Sequence, residues 1–276
     1  MMYQRLIYML RKKVVTMKSP AQIAATYETA GTVKTKLSFR KAFLLGIMAG
    51  AFIALGGLGS QIASVTADTP SAGRLVSSVV FPIGLFMVLV GGAELFTGNC
   101  LILIPVLSKK ATVTGMLRNW AIVYIGNMIG GLIVAFLAAF SHTYSFAGGE
   151  LASAVVNTAI TKANISFTDG LLRGILCNVL VCMAVWCSFA ADELAGKILA
   201  LWLPVMLFIV GGFEHCVANM YFIPAGMLAS YVHGIPAEGL SIFGYFVTNL
   251  IPVTLGNIIG GAICVGAVYY AVYLRD

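Results

Sequence analysis

GGFEHCVANMYFIP, residues 211–224, interrupts a long apolar stretch. It sets Glu214 beside His215, puts Asn219 four residues further on and closes on Pro224. Unpartnered polar groups are costly in an apolar interior, so this stretch needs a structural or functional reason. The chain holds a second copy of the pattern. GGAELFTGN, residues 91–99, fits the same G-G-x-E-x-x-x-x-N, and GNMIGG at 126–131 returns as GNIIGG at 256–261. LRNWAIVYIGN and LIPVTLGN lead into that second pair. The offsets are 120 and 130 residues. Glycine-rich segments resemble one another by composition, but glycine content does not bring Glu and Asn into register.

Both copies lie in hydrophobic surroundings. The 276 residues are 60% hydrophobic and 10% charged, with a mean hydropathy of +0.96. Soluble domains carry about 25% charged residues, so a soluble fold would lack the polar surface to cover such a core. The chain reads as an integral membrane protein in a lipid bilayer. Its net charge is +7, and nine of its 17 cations precede residue 42. Beside a first span such residues orient the chain; they do not alternate with aromatics, and no nucleic-acid partner is expected. Cys100, Cys177, Cys182, Cys187, Cys216 and Cys264 show no metal-ligand spacing and read as small buried hydrophobes. No metal or cofactor is expected. The run LIYML is too short for a signal-peptide core and lacks a cleavage site, so the first span is expected to be retained.

Spans of about 20 apolar residues cross a bilayer. Six hydrophobic regions are expected: 41–64, 77–107, 115–141, 169–191, 196–232 and 241–272. The second and fifth are too long for a straight crossing, and each is interrupted by Gly, Asn, Glu and Pro. The expected fold is therefore all-α and integral to the membrane: six transmembrane helices in an inverted 3+3 repeat, with broken second and fifth helices. The repeats run over about 41–141 and 169–272, forming one channel domain over 41–276. Residues 1–40 form a cytoplasmic N-terminal segment in which SPAQIAATYETAGTVKTKLSF makes a short amphipathic helix, capped by Ser19. It either lies along the inner membrane surface or packs under the bundle. Fourteen cations fall on the side of the N-terminus and three, Arg74, Lys162 and Arg173, on the other. The termini are expected inside.

A half of three spans is odd, so the second half enters the membrane from the opposite side. Such inverted repeats place a solute site near the midplane, where discontinuous helices meet. Irregular backbone survives at that depth only where protein buries it or it lines a wet cavity. Half-helices beginning near Asn99 and Asn219 would point free N–H groups and partial positive charge inward, a place for an anion. Phe208 and His215, seven apart with Gly211 and Gly212 between them, would share one helical face. Glu94 and Glu214 sit awkwardly beside an anion path and read as structural clamps.

At GGAELFTGN, GGFEHCVANMYFIPAG and LIPVTLGNIIGG the sequence resembles the formate/nitrite transporter family, over nearly the whole chain from about residue 20. The resemblance implies a homopentamer with an aquaporin-like fold in the inner (cytoplasmic) membrane. Each protomer has its own pore for formate, nitrite or hydrosulfide. It implies His215 at the pore centre facing Thr97. Leu85, Leu95 and Phe96 would form an inner constriction and Phe81 and Phe208 an outer one. Lys162 and Asn178 would stand in the outer vestibule, where a cation attracts anions; the alternatives are a solvated loop charge and an amide bridging helices. Formate ranks first among the three anions. A proton-coupled transporter of small weak acids stays open, since inverted repeats are common there. A neutral-solute channel would carry paired Asn-Pro-Ala boxes, which this sequence lacks. No nucleophile–base set marks an enzyme, and His142 and His233 are expected in exposed connections.

Overall fold

Serine caps open the helices around the site. The computed structural model describes residues 17–275, so the basic residues Arg5, Arg11, Lys12 and Lys13 and the LIYML run lie outside the described residues. Ser19 caps helix α1 (Pro20–Thr35) in a reciprocal box with Gln22, and Pro20 takes the first turn. Ile23, Ala24, Tyr27, Glu28 and Gly31 are buried on one side of α1. Of the two expected placements, it is the one packed against the bundle.

Among the described residues nine further helices follow, besides a short 3-10 segment at Thr143–Gly149: α2 (Phe39–Ser64), α3 (Pro70–Gly91), α4 (Phe96–Leu107), α5 (Val113–Phe140), α6 (Glu150–Ala163), α7 (Phe167–Ser188), α8 (Leu194–Val210), α9 (Cys216–His233) and α10 (Gly244–Tyr273). Every regular element among the described residues is helical. By length and composition α2, α3, α5, α7 and α10 can each cross a membrane, while α4 and α8 are shorter apolar helices.

Three boundaries differ from the sequence reading. The second region starts at Pro70, not 77, because Thr69 caps it and proline suits a first turn. Helix α6 lies where a connection was expected. Its Leu151, Ala152, Val155, Val156, Ala159 and Ala163 are buried, and it packs so closely on α9 that a Cβ on Gly226 would stand 2.1 Å from the Ala159 Cβ. His233 ends α9 instead of lying in an exposed connection.

The two GNxxGG segments set the helix crossings. A Cβ on Gly130 would lie 2.1 Å from the Ile47 carbonyl oxygen, so α5 touches α2 backbone to backbone. A Cβ on Gly260 would lie 2.2 Å from the Ile175 carbonyl oxygen, so α10 touches α7 in the same way. Small residues permit this approach, on which packing between membrane helices depends.

Candidate functional site

Each G-G-x-E segment is a gap between helices. α3 ends at Gly91 and α4 starts at Phe96; α8 ends at Val210 and α9 starts at Cys216. The second glycine of each pair turns left-handed, with φ of +81° at Gly92 and +65° at Gly212. A side chain there costs about 1–2 kcal/mol. The following amides fold back, Ala93 N donating to Val88 O and Phe213 N to Phe208 O. The new helices begin three residues before the expected Asn99 and Asn219, because Leu95 and His215 are extended and serve as their N-caps. Phe208 and His215 therefore do not share a helix. They meet across the gap, their rings stacked at 6.0 Å.

One asparagine closes each gap. Asn127 Oδ1 accepts from Phe96 N (2.9 Å), and its Nδ2 donates to Gly46 O and Glu94 O. Asn257 does the same for Cys216 N (2.9 Å), Gly174 O and Glu214 O. The gap backbone is thus satisfied inside the protein, as a bilayer requires. The carboxylates accept from side chains rather than from the broken backbone, and their cationic partners escaped the sequence reading. Lys34 Nζ donates to Glu94 (2.7 Å), and Lys162 Nζ donates to both oxygens of Glu214 (2.9 and 3.0 Å). Asn99 and Asn219 each donate to the glutamate of their own gap and to a second asparagine, Asn119 or Asn249. Those asparagines return a bond to the backbone oxygen of Lys34 or Lys162.

Sequence signals for these partners exist. Lys34 and Lys162 both sit in K-x-x-x-S-F, KTKLSF and KANISF, with Ser38 and Ser166 capping the next helices. Asn119 and Asn249 each precede a gap asparagine by eight residues.

At the centre the two copies differ. Leu95 corresponds to His215, and Thr97 to Val217. Thr97 Oγ1 and His215 Nε2 are 2.8 Å apart, both buried. Ala218 N donates to His215 Nδ1 at 3.0 Å. An amide can only donate, so Nδ1 carries no proton; the neutral ring is protonated at Nε2 and donates to Thr97.

Two cavities approach this pair. One, of about 470 Å³, is lined by Phe81, Phe208, Lys162, Glu214 and His215, with Arg74 and Arg173. The other, of about 210 Å³, is lined by Leu85, Leu95, Tyr27, Lys34 and Glu94. Phe81 and Phe208 meet edge to face at 5.6 Å. Phe96 does not line the second cavity with Leu85 and Leu95; its ring packs against Trp120 and Tyr124. Asn178 does not line the first cavity with Lys162. It is fully buried and donates to Thr97 O (3.2 Å) and Asn257 O (2.6 Å), which makes it a bridge between the two gaps.

Apolar helices broken around a buried polar pair, with a cavity on each side, define a multi-pass membrane transporter. The family model described as "Formate/nitrite transporter" matches residues 21–271, and the chain belongs to that family, whose members transport and are not enzymes. It is 36% identical over 280 residues to a "Probable formate transporter" of Methanothermobacter thermautotrophicus, covering 94% of this chain and 98% of that one. It is 37% identical over 265 residues to "Formate channel FocA" of Haemophilus influenzae, covering 90% and 92%. Among solved structures it superposes on a "Pentameric formate channel with formate bound" with a TM-score of 0.78 and 35% identity, covering 86% and 98%. An "FNT family ion channel" matches with a TM-score of 0.80 and 29% identity, covering 91% and 98%.

Proposed function

We propose that the chain forms a homopentameric channel for small monovalent anions, formate first, with hydrosulfide and nitrite also carried. The single observation behind this reading is the buried Thr97–His215 pair between two cavities. The names of the similar proteins, formate channels and a pentamer, support formate and the assembly. In this reading α3 with α4, and α8 with α9, are the broken second and fifth of six crossings. The halves are inverted in the aquaporin-like manner, residues 41–276 form the channel domain in the inner membrane, and both termini lie on its cytoplasmic side. The matched contacts of the two gaps support that symmetry.

An anion enters the Lys162 cavity and sheds water at Phe81 and Phe208. Complete desolvation would be prohibitive; donors at the pair offset it. The Thr97 hydroxyl accepts from His215 and keeps its own hydrogen to donate; Nε2–H becomes a second donor once it turns from Thr97 to the anion. Leu85 and Leu95 form the inner constriction, with Phe96 supporting Leu95 from behind. His215 gives its Nε2 proton to the anion only as its Nδ1 takes one from solvent in the Lys162 cavity, so protonation requires the ring to release Ala218 N–H. Formate or hydrosulfide then crosses the second ring as the neutral acid.

Flux of the three anions into proteoliposomes at several pH values tests this reading. Formate uptake should rise as pH falls, and His215→Asn should flatten that dependence. A His215→Asn profile equal to wild type removes the proton step. Vesicle swelling separates a neutral-solute channel, and single-channel current separates an alternating-access, proton-coupled carrier, which shows none.

A further inference from the structure

The two gaps are matched in charge, but the two cavities are not. Lys34 with Glu94 and Lys162 with Glu214 are each neutral pairs. Lys162, the cation expected to draw anions, is therefore already compensated. The larger cavity holds two further cations, Arg74 and Arg173, and neither has an acidic partner among the described residues. The smaller cavity has no equivalent. Arg173 and Leu45 hold matching places, their carbonyls accepting from Glu214 N and Glu94 N. Arg74 Nη1 makes one long bond, 3.4 Å, to Val210 O at the end of α8, which holds its guanidinium at the rim of the gap. Its remaining donors, and all those of Arg173, have no partner among the described residues.

We infer that Arg74 and Arg173 form an anion-capture site at the mouth of the larger cavity, selective for planar two-oxygen anions such as carboxylates. This rests on the anion-channel reading and names the residues and the ligand class at its entrance. A guanidinium offers parallel N–H groups that match a carboxylate in two-point fashion; an ammonium is a point charge. Formate presents two such oxygens, and hydrosulfide presents none. A unit charge about 8 Å from an ion in water changes its local concentration about twofold, so two charges give about fourfold to fivefold at low salt.

The test is uptake into proteoliposomes of known channel orientation, from the side of this cavity, at subsaturating anion. Arg74→Gln/Arg173→Gln should lower hydrosulfide uptake about fourfold in about 20 mM salt and less than about twofold in about 500 mM, where charges are screened, and should lower formate uptake by more at either salt. Uptake from the opposite side should hold. Arg74→Lys/Arg173→Lys should restore the salt-dependent attraction but not the preference for formate over hydrosulfide. Unchanged low-salt formate uptake in a well-folded double glutamine variant overturns the capture site. A lysine pair that also restores the preference overturns two-point recognition. Absence of formate flux in the wild type instead overturns the channel reading beneath both.

Discussion

Asn257→Ala should be among the most damaging single changes in the chain, although Asn257 touches neither cavity. Its amide fills the gap before α9, accepting from Cys216 N and donating to Glu214 O and Gly174 O. Gly174 lies within α7, where its carbonyl has a helical partner to fall back on. The Cys216 amide and the Glu214 carbonyl have no other partner among the described residues. Each buried group left unpaired costs about 1–3 kcal/mol, so the change costs about 3–4 kcal/mol before any cavity is counted. At about 2–4 °C per kcal/mol for a chain near this size, the unfolding midpoint falls by about 6–16 °C. Size-exclusion of heated, detergent-purified protein reads the surviving oligomer directly. Asn127→Ala should match it, since Asn127 makes the same three bonds to Phe96, Glu94 and Gly46. Asn164→Ala, which removes bonds only at an exposed helix end, should shift the midpoint by less than about 3 °C. Midpoints for Asn127→Ala and Asn257→Ala within about 2 °C of wild type would refute the view that asparagine holds the gaps.

Glu214→Gln keeps an acceptor for Asn219 but leaves Lys162 as a partly buried, unpaired cation, which costs about 3 kcal/mol; oligomer yield should fall, and Glu214→Gln/Lys162→Met should recover part of it. Selective loss of transport in a stable Glu214→Gln oligomer would show that the pair acts on the ion itself. Gly92→Ala meets no neighbour within 4 Å, so only its left-handed backbone objects and the loss should stay near 1–2 kcal/mol. Gly130→Ala, facing Ile47 O at 2.1 Å, must part α5 from α2, and a thermal midpoint no lower than that of Gly92→Ala would contradict the backbone contact. The Glu28 carboxyl is raised by burial, but its bond from Lys110 outweighs this and holds it below its ordinary 4.5. A lowered carboxylate stabilises above its unfolded value and ceases to as pH falls through its folded one. Wild-type stability should therefore drop more steeply below about pH 4.5 than that of Lys110→Gln.

The gaps are legible in the sequence because their chemistry is local. A glycine pair that admits a left-handed turn, a glutamate two residues on and an asparagine five later leave few other structures open in an apolar stretch. Their partners come from elsewhere and leave weaker traces. Lys34 appears only as one of many N-terminal cations until KTKLSF is set beside KANISF, and only then does the repeat extend back before the first span. Helix α6 escapes detection because it is too short and too polar for a span, and its apolar stripe has meaning only once α9 is there to cover it. Phe208 and His215 come together for a reason other than the one their spacing suggests: the helix that would have aligned them ends between them. Phe96 follows Leu95 in sequence yet faces elsewhere, because one is an extended cap and the other the first residue of a new helix.

The repeat also explains why the polar pair is single. A perfectly twofold frame with histidine at both cap positions would place two imidazoles at the centre; with leucine at both it would offer no donor beyond the hydroxyls. This chain keeps the frame matched wherever matching serves the backbone: Glu94 with Glu214, Asn99 with Asn219, Asn127 with Asn257 and Lys34 with Lys162. It departs at Ala93 and Phe213, Leu95 and His215, Phe96 and Cys216, Thr97 and Val217, and Gly98 and Ala218. Two of these departures, at Leu95/His215 and Thr97/Val217, leave one polar pair, Thr97 with His215, which supplies hydrogen-bond donors. On the proposed function, stability and ion handling would fall to different residues, so Thr97 or His215 could change without loosening the asparagines and lysines that hold the broken helices in place.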